Sequence, residues 1–433
     1  MPPIQDHPLR YKLANELHAR PFPSLTTPCR AIYLAIKQPG NAASRDRSLD
    51  VAHLLELLDR HDTPHPQPGA THYQGQIGQH MLKWEQHTEF VTYTVFLPGL
   101  GERPFDPADF DVFPSDWLDR APGVRVTSAM LRVDLRPKDD EQISRMVNDW
   151  MVPESVAVSE VIDGEAVVAG DFRIDPAGHQ RFAVFTRAGV GQRRVGRIVQ
   201  RLCEIETYKA MSMLGFTRVG AIGPRMGQID AELTRLMQVM TEDDGQEEAT
   251  LKTLLKVSAE LESLSAQTSF RLGATGAYEA IVGQRIEVLR EVRFLGRQTF
   301  AEFMTRRYDP AMRTVKSAER RLESMTNRAT RAADLLRTRV EVGRSAQNQQ
   351  LLESMDKRAE LQLQLQKTVE GLSVVAISYY AVSLAGYLLY PVSEALGMSK
   401  GMLTALVTAP VVVVVWLMIR RIRHHMEKSG PDL

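Results

Sequence analysis

The sequence predicts an α+β domain built on a mostly antiparallel sheet with helices, then a long helical stalk and a C-terminal two-helix transmembrane hairpin. Three observations carry this reading. Two turn signals, Asp163-Gly164 and the run from Asp175 to Gly178, punctuate a β-rich stretch at 156–185. No proline occurs between Pro310 and Pro391. Two stretches near the end, 372–390 and 402–419, contain no charged side chain.

The first domain is placed at 1–225. Residues 31–37 are read as a strand, and 46–60 as a helix with Leu49, Leu54, Leu57 and Leu58 on one stripe. Residues 75–98 are read as two strands: Leu82 and Trp84 share one face of the first, and 90–96 is dense in β-branched and aromatic residues. Another strand is expected at 124–135, and three strands around two turns make a meander at 156–185. No βαβ alternation with a glycine-rich phosphate turn occurs, so a largely antiparallel sheet covered by helices is expected rather than a Rossmann fold.

From Gln192 the pattern turns helical. Val195, Ile198, Val199, Leu202, Ile205 and Met211 mark a helix at 192–214, and Gly215, Gly220, Gly223 and Pro224 predict a break. A helical region at 226–308 follows, with helices at 226–240, 247–271 and 278–308 and an acidic interruption at 242–245. Asp309 and Pro310 make a helix start, as N-cap and first helical residue. One helix is expected to run from Pro310 through a coiled-coil stalk at 310–370 into the first span. Its roughly 60 residues ahead of the membrane would reach about 90 Å. Leu322, Met325, Ala329, Ala332, Leu336 and Val340 form an apolar seam, to be buried against 247–308 or neighbouring subunits.

The hairpin is placed at 371–420 and a basic tail at 421–433. About 20 apolar residues at about 1.5 Å rise cross a hydrocarbon core of about 30 Å, so each stretch suffices. The link at 391–401 is short enough to force the chain back to the side it came from. Lys357, Arg358 and Lys367 precede the hairpin, and Arg420, Arg421, Arg423 and Lys428 follow it; the link carries Lys400 offset by Glu394. That asymmetry predicts a multi-pass protein with both termini cytoplasmic. The first residues lack the apolar core of a signal peptide, so export of the bulk is not expected.

The 433 residues leave room for two or three domains, and 53 basic residues cancel 53 acidic ones, which disfavours nucleic acid as a partner. Cys29 and Cys203 are read as buried or free thiols in a reducing compartment. Six histidines between His53 and His87 match no zinc spacing, and Pro64, Pro66 and Pro68 make 61–72 a polar loop. No metal site, cofactor or catalytic set is predicted, and the chain is expected not to be an enzyme. The candidate ligand-binding residues are Glu16, His18 and Arg20, an acid–base cluster near the N-terminus, with Arg193 and Arg194. The latter pair opens a helix after the glycine turn at 189–196, where backbone amides could hold an anion; the alternative is a strand-to-helix turn. Ser383, Tyr387 and Tyr390 lie near one face of the first span, to line a pore or to pack helices. The second span has almost no such groups and is expected to face lipid.

The segments His7-Pro8-Leu9-Arg10-Tyr11, then 13–21, and the run from Arg193 to Tyr208 resemble a bacterial family of uncharacterised membrane-anchored proteins, domain-of-unknown-function family 3422. The resemblance covers nearly the whole chain, implies a bacterial inner-membrane location, and supplies no reaction. The layout is also similar to the CorA class of metal-ion transporters: a cytoplasmic α/β domain, a long stalk helix entering the first span, and a C-terminal two-span hairpin. Residues 372–390, including Ala385-Gly386-Tyr387, are similar to that family's first span. Where the family carries a Tyr-Gly-Met-Asn signature, this chain reads Leu389-Tyr390-Pro391-Val392, so the ion-selecting asparagine is missing. The uninterrupted helix after Pro310 and the polar face of the first span predict a homo-oligomer through stalk and first span, and the likeness makes a divalent cation the cargo to test. The expected function is therefore an oligomeric, CorA-like scaffold or sensor of unknown ligand, or a degenerate ion transporter. The alternatives are a membrane-tethered enzyme near Glu16, His18 and Arg20, and a helical adaptor whose arginine-rich stalk grips acidic lipid or a partner.

Overall fold

The computed structural model describes residues 4–16, 21–40, 45–241 and 246–428. The chain divides into two compact units, Met1–Ala333 and Asp334–Leu433.

The first unit begins with α1 (Arg10–Glu16), β1 (Cys29–Lys37), α2 (Ser48–Asp59), β2 (His72–Ile77), β3 (His80–Gln86) and β4 (Phe90–Pro98). It continues with α3 (Ser115–Asp119), β5 (Val124–Leu135), α4 (Asp140–Trp150), β6 (Ala157–Val161), β7 (Ala166–Gly170) and β8 (Gln180–Thr186). Next come α5 (Gln192–Val239), α6 (Glu247–Glu287), β9 (Val292–Arg293), α7 (Phe300–Arg307) and the start of α8 (Asp309–Ala395). The strands form a single nine-stranded sheet in the order β2-β3-β4-β1-β5-β8-β7-β6-β9. Every pairing is antiparallel except β5 with β8. The expected antiparallel character therefore holds for a sheet that is mixed at one seam.

Side-chain alternation divides the two faces. Ile32, Leu34, Val91, Tyr93 and Val95 pack against Leu54, Leu57 and Leu58 of α2 and Trp117 of α3. Met130, Val158, Val167 and Phe185 pack against Ile143 and Val147 of α4. The opposite face meets Val195, Ile198, Val199 and Leu202 of α5, with Leu272 and Ile286 of α6 and Phe300 of α7.

Three sequence expectations are corrected. The stretch 75–98 extends into three strands, not two, because β2 joins by a tight turn in which Gly78 adopts φ +55°. No break occurs at 215–224: α5 runs through Pro224, and Gly215 serves contact, since a Cβ there would run into the Thr275 hydroxyl of α6. Residues 278–308 are not one helix. The α6 helix stops at Glu287, the chain turns through Arg290, Leu295 and Gly296 at positive φ, and β9 joins the sheet edge before α7 starts on a Thr299–Glu302 capping box.

The stalk seam finds its cover inside the chain. Leu322, Met325, Ala329 and Ala332 of α8 pack against Ile222, Met226, Ile229 and Leu233 of α5 and Leu254, Val257 and Leu261 of α6. Asp230 of α5 binds Arg321 at 2.7 Å and Arg328 at 3.0 Å.

Glu206 of α5 is fully buried and accepts from Gln180 Nε2 at 2.5 Å, Thr127 Oγ1 at 3.3 Å and Lys209 Nζ at 2.7 Å. Burial outweighs these donors and raises its carboxyl above the ordinary 4.5. The folded state thus holds this proton more tightly than the unfolded chain. The contribution to stability is full below the unfolded value and is lost as pH rises through the folded one. Glu206→Gln has no proton to lose, so its unfolding midpoint in urea is expected to fall less with rising pH than the parent's. A parent–variant difference that stays constant with pH contradicts this.

In the second unit, α8 continues and turns back as α9 (Lys400–Lys428). Every residue from 341 to 369 is exposed. Two helices are long and apolar enough to cross a membrane, within Asp309–Val392 (mean hydropathy 1.7) and Lys400–Ile422 (2.5). Only 6% and 17% of these apolar windows are buried, whereas the core helix of a water-soluble domain would hide most of such a surface.

Candidate functional site

The α5-facing side of the sheet is apolar beneath β1, β5, β7 and β8 and largely polar beneath β3 and β4. In β3, Leu82 and Trp84 enter the α2-side core, which turns Lys83 and Glu85 toward α5. In β4, Val91, Tyr93 and Val95 likewise leave Thr92 and Thr94 on the α5 side. Lys83, Thr92 and Thr94 are nonetheless buried, because α5 covers them. The helix meets them with two rows spaced by four residues, Val199-Cys203-Thr207 and Gln200-Glu204-Tyr208. Arg285 of α6 and the Phe22-Pro23 segment complete the wall of a cavity of about 200 Å³.

Its polar groups form one connected chain. Glu85 Oε1 lies 3.2 Å from Lys83 Nζ, and that ammonium donates to Gln200 Oε1 at 2.7 Å. Gln200 Nε2 donates to Glu204 Oε1 at 2.7 Å, and Arg285 pairs with Glu204. Two cations face two anions, so the formal charge of the cavity is zero. Beside the chain, Tyr33 donates to Thr207 Oγ1 at 2.6 Å, and the Thr207 hydroxyl donates in turn to the Cys203 carbonyl at 2.9 Å. Burial raises the Tyr33 phenol and keeps the Cys203 thiol protonated, which removes the thiolate a nucleophile needs. Cys29 is pushed up to about 12 for the same reason. Phe90, with His87 stacked on it at 4.4 Å, and Tyr208 supply aromatic surface.

The sequence-predicted residues fall in three places. Glu16 ends α1, while His18 and Arg20 lie outside the described residues. The chain that follows them reaches the cavity: Leu25 N donates to Gln192 O at 3.1 Å, and Gly196 lies so close to the Pro23 carbonyl that a Cβ would strike it. Arg193 and Arg194 occupy the first turn of α5, where Arg194 pairs with Glu165 and Arg193 is exposed; neither lines the cavity. Of the segments that carry the family resemblance, the run from Arg193 to Tyr208 lines the cavity through Gln200 and Glu204, and Phe22, just after the other, joins them. Lys83, Glu85 and Arg285 escaped the sequence reading. The signal was present in the polar alternation of β3 and β4 on a sheet expected to be covered by helices.

Ser383, Tyr387 and Tyr390 come together in the second unit, lining a groove of about 780 Å³ between α8 and α9. Thr404 and Thr408 of α9 join them. Ser383 and both threonines bond the carbonyl four residues back, which satisfies these three hydroxyls within their own helices. Ser378 differs: it is buried in the hairpin, and its Oγ has no hydrogen-bond partner among the described residues.

Two histidines of the 53–87 stretch are held by clear structural contacts. His53 stacks on Trp117 at 3.8 Å and bonds Tyr93, and His65 bonds Asp59 at 2.6 Å. Among the described residues no group of three His, Cys, Asp or Glu side chains is placed to hold a metal ion.

No curated protein and no solved structure matches this chain. A family model described as "Protein of unknown function (DUF3422)" matches residues 5–426. That match spans both units, and the chain belongs to this family.

Proposed function

We propose that this protein is a membrane-anchored ligand sensor, without enzymatic activity, held in the bacterial inner membrane by the hairpin with both termini cytoplasmic. The observation that carries the sensor reading is a charged sheet face covered by a helix around open space. A sheet that needed only stability would fill that position with apolar side chains, as this one does beneath β5, β7 and β8. The absence of a thiolate at Cys203 favours binding over covalent chemistry. The anchor reading rests on two apolar helices with little buried surface, flanked by Lys357, Arg358, Arg420 and Arg421. Thermal unfolding of the full chain in mild detergent, screened against a metabolite library, tests the sensor. At least one compound is expected to raise the midpoint, and Thr94→Phe, which fills the cavity, is expected to abolish the shift. A library without effect sinks the reading.

A homo-oligomer of CorA-like layout is the companion proposal, with the bilayer and further copies of the chain as partners. It is supported by the hydroxyl-lined groove and by the exposed Tyr387 within it, since a polar group within hydrocarbon gains from a neighbouring helix. Light scattering in detergent is expected to give a mass of several chains; a monomer removes this proposal.

A further inference from the structure

We infer that the cavity takes a small zwitterion of amino-acid type, its carboxylate on Lys83 and its ammonium on Glu204; this rests on the sensor reading above. The Gln200 side chain marks both positions. Lysine only donates and a carboxylate only accepts, so the Gln200 amide has one orientation that serves both neighbours. Its oxygen lies 2.7 Å from Lys83 Nζ and its nitrogen 2.7 Å from Glu204 Oε1. An acceptor therefore belongs beside the lysine and a donor beside the glutamate, a few ångströms apart. An α-amino acid presents that pair with full charges, and charged hydrogen bonds are stronger than the neutral amide's.

Charge balance weighs against simpler charged ligands. A phosphate drawn to Lys83 and Arg285 would meet the carboxylates of Glu85 and Glu204. A metal ion drawn to the carboxylates would meet the ammonium and the guanidinium. A ligand with a single charge adds an unmatched charge beside Lys83 and Glu85, which are largely shielded from water, and that is costly. A zwitterion exchanges partners and keeps the sum at zero. Size agrees: about 200 Å³ lies below the roughly 300–1,000 Å³ typical of sites for larger ligands. Phe22, Phe90 and Tyr208 offer apolar surface for the side chain of the guest.

Isothermal titration of the full-length protein in detergent tests this with the twenty amino acids, phenethylamine and phenylacetate. At least one amino acid is expected to bind. The matched compound lacking either charge is expected to bind about 10- to 100-fold more weakly, the loss of one charged hydrogen bond. Lys83→Met and Glu204→Gln should each weaken the amino acid by a similar factor. The wild-type ligand series answers the question even where a variant fails to fold. Equal binding of the amine or the acid overturns the zwitterion while leaving the sensor standing. So does a hit from the metabolite library that carries no opposed charges. If no amino acid binds and the library also has no effect, both fall.

Discussion

A double substitution, Val413→Arg with Val414→Arg, is expected to expel α9 from the bilayer and move the C-terminus to the opposite side. Both valines lie in the apolar stretch of α9 and are exposed, while Val415 beside them is buried in the hairpin. The change therefore tests contact with hydrocarbon more than packing within the hairpin. An arginine at the middle of a span costs about 2.5–3.5 kcal/mol on insertion scales, and two in succession exceed what the remaining valines and leucines recover. With α9 outside, α8 alone crosses. A C-terminal green fluorescent protein, bright only in the cytoplasm, is expected to go dark. A C-terminal alkaline phosphatase, active only outside, is expected to become active. If the parent protein already gives the outside pattern, the proposed orientation is wrong; if the variant matches the parent, α9 is not held by lipid.

Asp50→Ala is expected to lower the stability of the first unit by about 3–5 kcal/mol, as loss of one partner from a buried ion pair does. Asp50 and Arg45 are both buried and paired, and Gln86 Nε2 donates to Asp50 at 3.0 Å. Arg45 also donates to the carbonyls of Thr88 at 3.2 Å, His87 at 2.8 Å and Phe90 at 3.1 Å. It thereby ties the β3–β4 turn to the start of α2. Without Asp50 the guanidinium stays buried among carbonyls with no counter-charge. The double variant Arg45→Met with Asp50→Leu is expected to recover much of the loss, because well-packed apolar groups replace buried pairs at little cost. Urea unfolding of the purified chain checks both. An Asp50→Ala midpoint equal to the parent's contradicts the assignment, as does a double variant weaker than the single.

Local chemistry made part of the architecture legible. A turn does lie at Asp163 and Gly164 between β6 and β7, although the connection is four residues, 162–165, and Ile162 shares their positive φ. Asp309 does open α8, and the lack of proline to Pro391 matches one helix to Ala395. Tertiary contact hid the rest. Gly215 reads as a breaker until Thr275 is seen beside it, and Pro224 is carried inside a helix packed on its neighbour. The edge strand β9 is two residues long, too short to leave a periodic pattern. Lys83 and Glu85 alternate with Leu82 and Trp84 as a solvent-facing row would, and only the cover from α5 distinguishes a wet interior from a wet exterior.

That polar face has a consequence for rigidity. On their α2 side β3 and β4 share a dry core with Trp84, Tyr93 and Trp117, but on the other side they press against empty space and a string of paired charges. Dispersion contacts normally supplied by neighbouring atoms are missing there. A guest in the cavity would supply them and act as a removable piece of core. Occupancy would then be felt first as a stiffening of these two strands, and of the stretch of α5 that closes over them.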